Sequence, residues 1–229
     1  MIRAIITDIE GTTTSVSFVY DVLFPYAREH LAQYIREHQS GEAVRSQLDL
    51  VSKELGRPLD VSESIAQLML WMDEDRKITP LKSLQGLVWE YGYQQGHFKG
   101  HVYKDVPASL QQWYERGIAL YVYSSGSVQA QKLLFANTCF GDLTGLFSGY
   151  FDTRIGNKRE RSSYERIVGQ IGYKPDEVLF LSDIEQELEA AEGAGIKTLL
   201  LIRGGNKQTS KYASVRSFDQ IDPDTGTVR

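Results

Sequence analysis

Between Thr14 and about position 102 the sequence carries no β-rich segment, although a short apolar run precedes that stretch and several follow it. That gap narrows the possible folds more than any single motif. After it, strand-like runs at 118–123, 149–153, 178–181 and 197–202 alternate with helical patterns at 128–136, 163–171 and from 187 to a stop at Gly193 or Gly195. Strands alternating with helices imply a mostly parallel sheet with helices on both faces. The gap is itself helical. Ala27, Leu31 and Ile35 recur at helical spacing, as do Val44, Leu48, Val51 and Leu55 after Gly41. Ile65, Met69 and Met72 mark a third helix, and Thr79-Pro80 opens a fourth with Leu81, Leu84, Val88 and Tyr91. The expected fold class is therefore α/β, with residues 1–14 and 103–229 forming the core and 15–102 an all-helical insertion. An insertion there would sit at the rim where the first strand ends, where a lid excludes water from a reactive site. The tail from about 222 reads as loose.

Composition limits the function. A chain of 229 residues with 41% apolar content builds a sizeable core, and a net charge of −5 argues against a broad nucleic-acid surface. No apolar run is long enough to span a membrane. Met1 leads directly into the first strand-like run, so no cleavable leader is expected. The single cysteine, Cys139, excludes an intramolecular disulfide and a cysteine-built zinc site, and beside Phe140 it reads as buried filler. These features predict a cytoplasmic protein with no nucleic-acid or membrane partner; a monomer is expected, although composition does not bear on oligomeric state.

The first strand ends in chemistry. In Ile5-Ile6-Thr7-Asp8-Ile9-Glu10-Gly11-Thr12-Thr13, two carboxylates two residues apart follow an apolar run. Ligands of open α/β sheets bind outside the carboxyl ends of the strands, so Asp8 and Glu10 fall at that rim. A carboxylate there can act as nucleophile, metal ligand or both. Ser124 and Asp183 end two later strands, and Lys158 offers a cation. Read singly, Ser124 opens a turn, Lys158 belongs to a solvated charged run (158–161), and Asp183 caps a helix. Read together, the carboxylates would repel one another unless a cation sat among them, and Mg²⁺ accepts a few carboxylates while keeping several waters. A metal and a lysine would also counter the charge of a phosphoryl group.

The order Asp-x-Glu-Gly-Thr, Tyr-Ser-Ser-Gly-Ser, a lone lysine, then Phe-Leu-Ser-Asp resembles the four motifs of the haloacid dehalogenase (HAD) superfamily. Most members carry aspartate where Glu10 stands. With glutamate there, the sequence resembles a narrower group, the enolase-phosphatases of methionine salvage. Asp21-Val22-Leu23-Phe24-Pro25-Tyr26-Ala27, Asp75-Arg76-Lys77-Ile78-Thr79, Leu84-Gln85-Gly86, Ser124 through Phe135, and Phe151-Asp152-Thr153 with Ile155-Gly156-Asn157-Lys158 fit that group as well. The resemblance implies a HAD-like Rossmannoid core with a helical cap. It makes Asp8 the nucleophile and a Mg²⁺ ligand, Glu10 the general acid/base and a ligand, and Asp183 the third ligand, with one Mg²⁺ per subunit. It gives Ser124 and Ser125 to the substrate phosphate, and Lys158 to the phosphate and to Asp8. The implied substrate is a small phosphorylated 2,3-diketone, the 5-methylthio-pentyl 1-phosphate, enolised and then dephosphorylated to an acireductone. The base for enolisation stays open between Glu10 and Asp8. Alternatives are a HAD phosphatase of another small phosphoester, or a non-enzymatic phospho-acceptor domain, against which the long insertion argues.

Two departures from the pattern stand out. Arg203-Gly204-Gly205-Asn206 lacks a proline common at its second position, and in place of a second aspartate after Asp183 the nearby acids are Glu185 and Glu187. His97 and His101 stand four apart, a spacing that suits zinc on a helix, but Gly100 lies between them and no third ligand is evident. Trp71, Trp89 and Trp113 read as packing residues. Tyr20, Phe24 and Tyr91 either pack a core or line a pocket for the methylthio tail.

Overall fold

The structure, a computed structural model, describes residues 1–205 and 210–229; Asn206 lies outside them. Six strands, β1 (Ala4–Thr7), β2 (Ala119–Tyr123), β3 (Gly149–Phe151), β4 (Val178–Ser182), β5 (Lys197–Leu201) and β6 (Ser214–Val215), form one parallel sheet in the order β3-β2-β1-β4-β5-β6. The chain builds outward from β1 on one side, then returns and builds outward on the other, so a topological switch point lies at β1, between β2 and β4. Thr7 pairs with both Val122 and Leu181, which brings the ends of β1, β2 and β4 level.

Alternation explains why both faces are covered. Ile5, Leu120, Leu179, Leu181, Leu199 and Leu201 point to one face, where they meet Val106, Leu110 and Trp113 of helix α6 (Asp105–Glu115, counted after the five helices given below) and Phe218. Ala4, Ile6, Tyr123, Val178, Phe180 and Leu200 point to the other, against Tyr164 and Ile167 of α8 (Arg161–Ile171) and Leu188 and Ala191 of α9 (Glu185–Gly193). A strand buried on both faces reads as a continuous apolar run, which is what β1 and β4 show.

Residues 19–98 form a second compact unit, the remainder (1–18 and 99–229) the first. The helical interval expected at 15–102 thus extends four residues beyond the compact unit at each end. After one turn, α1 (Val16–Phe18), and a π-helical turn at Val19–Leu23, come α2 (Phe24–His38), α3 (Glu42–Glu54), α4 (Val61–Asp73) and α5 (Thr79–Gln94). Pro25 and Pro80 sit in the first turns of α2 and α5, where a missing N–H costs nothing. Asp60 and Glu63 form a reciprocal capping box at the start of α4. Ala27, Leu31, Ile35, Val51, Leu68, Trp71, Leu84 and Val88 share one core. Trp89 donates its indole N–H to the Leu23 carbonyl at 2.7 Å.

Two expectations are corrected. The tail is not loose: β7 (Ile221–Asp222) and β8 (Thr227–Val228) make a hairpin, Ile221 is buried, and the Ile2 N–H donates to the Asp224 carbonyl at 2.8 Å. The Asp222 side chain receives both the Asp224 N–H and the Thr225 hydroxyl, which fixes the turn. Cys139 is exposed, as is Phe140. Beyond α7 (Val128–Ala136), the Thr138 hydroxyl donates to the Gly141 carbonyl at 2.6 Å and closes a turn that carries both side chains outward.

Arg203, in the loop after β5, ties separate pieces of the core together. It donates to both Asp105 carboxylate oxygens at 2.9 and 2.7 Å and to the carbonyls of Thr12 and Arg216, and its guanidinium lies 4.3 Å from the Tyr103 ring centroid. Asp105 also accepts the Phe218 N–H at 2.7 Å. The pair is largely withdrawn from water, with side chains 6% and 17% exposed. Breaking a buried pair from one side strands the other charge, so Arg203→Met is expected to cost about 3 kcal/mol. The cost should be read as a lower denaturation midpoint at unchanged slope; an unshifted midpoint would show that the pair contributes nothing to stability.

Candidate active site

Asp8 is the first residue beyond β1 and is 3% exposed. Its backbone extends the sheet, donating to the Leu181 carbonyl at 2.9 Å, and its Oδ1 accepts the Ile9 N–H at 2.7 Å. The turn that follows is tight: the N–H groups of Thr12, Thr13 and Thr14 all reach the Ile9 carbonyl, and Gly11 takes φ +72°. A Cβ at Gly11 would collide with the Asp183 carboxylate, so the third acid lies directly against this turn. Glycine is needed here for both the conformation and the close approach.

Lys158 is 7% exposed, unlike its neighbours Arg159, Glu160 and Arg161. Its ammonium stands 2.7 Å from Asp8 Oδ1 and 2.7 Å from Glu187 Oε2. Burial opposes its charge, but Asp8 and Glu187 outweigh that and hold it above the ordinary lysine range. Ser182 Oγ donates to Glu187 Oε2 at 2.9 Å, lies 3.5 Å from Asp8 Oδ2, and accepts the Ile184 N–H. The Ser124 hydroxyl donates to Glu10 Oε2 at 3.3 Å and accepts the Gly126 N–H at 3.1 Å. Ser125 is exposed beside it.

The acids are crowded. Burial, then the charge of Asp8, raises Glu10 and pushes Asp183 up to about 6 and Glu187 up to about 7. Four carboxylates (Asp8, Glu10, Asp183 and Glu187) thus face the one ammonium of Lys158. Among the described residues no three His, Cys, Asp or Glu side chains close on one point tightly enough to hold a metal by themselves. The donors are nonetheless hard oxygens with surplus negative charge. That suits an ion such as Mg²⁺, which takes one or two carboxylates and completes its shell with water. Asp183 also lines a cleft of about 600 Å³, with Gly11, Ser15, Tyr103, Glu185 and Arg203 among others.

Glu187 is the acid that completes the lysine's environment, and Glu185 is not. Glu187, buried in the first turn of α9, meets the Lys158 ammonium and the Ser182 hydroxyl, whereas Glu185 lines the neighbouring cleft. Ser182 is a further member: it lies inside the Phe-Leu-Ser-Asp run, where attention falls on the acid that follows it. The two histidines do not form a pair on a helix. His97 Nδ1 meets the Tyr26 hydroxyl at 2.8 Å, while His101 Nδ1 meets the Thr14 hydroxyl at 2.9 Å and accepts the Ser15 N–H. Trp71 and Trp113 are buried in the two cores. Tyr20 is exposed, Phe24 packs edge-on against Trp89, and Tyr91 stands edge-on to Tyr34.

Comparison with known proteins gives the family. Residues 2–195 match the description of the haloacid dehalogenase-like hydrolases. A protein named Enolase-phosphatase E1 from Citrobacter koseri is 55% identical over 225 residues, covering 98% of both chains. Another of that name from Methylococcus capsulatus is 53% identical, covering 98% of this chain and 99% of its own. The solved structure of the UTR4 protein of Saccharomyces cerevisiae is 36% identical and superposes with a TM-score of 0.83, covering 96% of this chain and all of that one. The family match over residues 2–195 and full-length identity above one half place this chain in the haloacid dehalogenase-like hydrolases, within their enolase-phosphatase E1 family.

Proposed function

We propose that the protein is a Mg²⁺-dependent enolase-phosphatase that converts 2,3-diketo-5-methylthiopentyl 1-phosphate to its acireductone, a step in methionine salvage. The observation that carries the chemistry is the pair of contacts at 2.7 Å by which the Lys158 ammonium joins Asp8 to Glu187. Such a lysine holds a carboxylate ionised in a buried site and offers charge to an incoming phosphate.

Asp8, Glu10 and Asp183 would hold the ion. When bound, Mg²⁺ supplies the positive charge that a phosphoryl group and an enolate both call for. The protein's own groups do the rest. A carboxylate, Glu10 or Asp8, takes the proton from the carbon beside the carbonyl and returns a proton to the carbonyl oxygen, which gives the enol and regenerates the carboxylate. Asp8 then attacks phosphorus, and the bond from phosphorus to the substrate oxygen breaks. Burial, then the charge of Asp8, pushes Glu10 toward its protonated form, which suits it to deliver a proton to the departing oxygen. Water next attacks phosphorus in the aspartyl phosphate, gives its proton back to Glu10, and frees inorganic phosphate and Asp8. Ser124, tied to Glu10, orients that acid, and with Ser125 and Lys158 it receives the phosphate oxygens. The helical unit, which the chain enters directly after the carboxylate-bearing turn, takes the role of cap. The proposal extends to a cytoplasmic monomer with one Mg²⁺ per subunit; light scattering at a dimer's mass would refute the monomer.

The test is to supply the diketone phosphate and follow the enol by absorbance and phosphate by a colorimetric assay. Both products are expected with Mg²⁺, both are expected to fall to background with a chelator, and both should return when Mg²⁺ is restored. Faster turnover of sugar phosphates than of the diketone would overturn the substrate. Glu10→Gln that enolised at full rate with phosphate release blocked would exclude Glu10 as the enolising base.

A further inference from the structure

The segment that carries Lys158 belongs to neither a helix nor a strand. The segment is half-buried or exposed apart from Lys158, and the carbonyls of such a loop ordinarily turn to water. Here four successive carbonyls each receive a side-chain donor. Arg166 donates to the carbonyl of Ile155 at 2.7 Å, Tyr123 to Gly156 at 3.0 Å, Ser163 to Asn157 at 2.8 Å, and Tyr164 to Lys158 at 2.8 Å. Three of the donors come from α8 and one from β2, the strand that also ends at Ser124. Gly156 has φ +146°, and a Cβ on it would collide with Ser163 Oγ, so the backbone is pressed against the groups that hold it. The two tyrosines are themselves fixed, fully buried, edge to face at 5.5 Å, with Tyr164 packed on Phe180 at 5.1 Å.

We propose that Tyr123, Ser163, Tyr164 and Arg166 are positioning residues that fix the Lys158 ammonium by holding the carbonyls of residues 155–158 in register. The inference rests on the assignment of Lys158 to the substrate phosphate and to Asp8. Tyr164 is the most direct member, since its hydroxyl ends on the lysine's own carbonyl. The Lys158 ammonium also lies 5.8 Å from the centroid of the Tyr123 ring, so one residue both backs the cation and grips its loop. A side chain that reaches its target from an irregular segment inherits every error in the backbone, and a displacement of about 1 Å can cost roughly a hundredfold in rate.

The experiment is a double-mutant cycle between Tyr164→Phe and Lys158→Met, with kcat for phosphate release and inhibition by inorganic phosphate as readouts. Tyr164→Phe alone is expected to lower kcat about tenfold and to weaken phosphate inhibition by a similar factor. In the Lys158→Met background the same change should alter either quantity less than about twofold, because the tyrosine acts through the lysine. Equal losses in both backgrounds, or none in either, would overturn the inference. Where the residual rate of Lys158→Met is too small to read, calorimetric binding of inorganic phosphate to the four proteins completes the cycle. Arg166→Met, at the exposed end of the set, gives the same coupling if Tyr164→Phe fails to fold. Tyr150→Phe removes a buried hydroxyl with no hydrogen-bond partner among the described residues and should change nothing. Full phosphate affinity and full rate in Lys158→Met would instead refute the assignment of Lys158, whatever Tyr164→Phe shows.

Discussion

Asp8→Asn is expected to abolish phosphate release, by roughly 10⁴-fold or more in kcat, in a protein that remains folded. The amide keeps the shape of the carboxylate, and its oxygen can still accept the Ile9 N–H and face Lys158. What it loses is the ability to form and release an acyl phosphate. Stability should change little for a specific reason. The charge of Asp8 raises Glu10, Asp183 and Glu187, so removing it relieves a repulsion felt by all three, while Lys158 keeps its contact with Glu187. Equal thermal midpoints with no phosphate release would therefore separate chemistry from folding. Substantial turnover by the variant would rule out Asp8 as the nucleophile.

Lys158→Met should damage both stability and rate. It strips the cation from two carboxylates that are 3% and 8% exposed. Breaking a buried pair from one side costs about 3–5 kcal/mol, because the abandoned charges remain desolvated. The loss has a pH signature. Glu187 already sits near 7 with the lysine present, because burial and Asp8 outweigh the ammonium, and it rises further when the ammonium is gone. A carboxyl whose folded value lies above its unfolded value binds more protons in the folded state, so its contribution to stability falls as pH rises. The unfolded reference is common to both proteins, so the variant's deficit should be nearly flat where both folded forms hold the Glu187 proton and should grow as pH rises through about 7, where the parent's Glu187 ionises and the variant's does not. Denaturant midpoints across that range measure it directly; a deficit independent of pH would mean that Glu187 does not titrate there. The rate should fall by about 10²–10³, the usual consequence of removing one donor from a preorganised charge-stabilising set.

The sheet was legible in the sequence because β1 and β4 are buried on both faces and so are uninterrupted apolar runs, each ending in an acid. The last strand of the sheet was not. β6 has two residues, and its burial comes from pairing with β5, not from any pattern of its own. Helix α6 carries a helical repeat in Val106, Leu110 and Trp113, but Pro107 reads as a breaker unless it is recognised as belonging to a first turn. Cys139 shows the limit of neighbour-based reasoning: Phe140 beside it is apolar, yet both lie on a turn set by a hydroxyl-to-carbonyl bond between Thr138 and Gly141.

At the candidate site, Asp8, Glu10, Ser124 and Asp183 announce themselves by standing at strand ends. Lys158 does not, since its charged neighbours make it look like plain surface, and only the fold buries it. The groups that hold its loop are still less visible. Tyr123, Ser163, Tyr164 and Arg166 reach carbonyls between 6 and 33 residues away along the chain, and hydrogen bonds to backbone leave no residue pattern at the accepting end.

The central claim is that phosphate leaves in two displacements, first to Asp8 and then to water. The stereochemical course at phosphorus tests it most directly, using a substrate whose phosphoryl group is made chiral with oxygen isotopes. Each in-line displacement inverts the centre, so transfer through Asp8 predicts net retention. Net inversion would mean a single attack by water and would contradict the account, even if every product were the expected one.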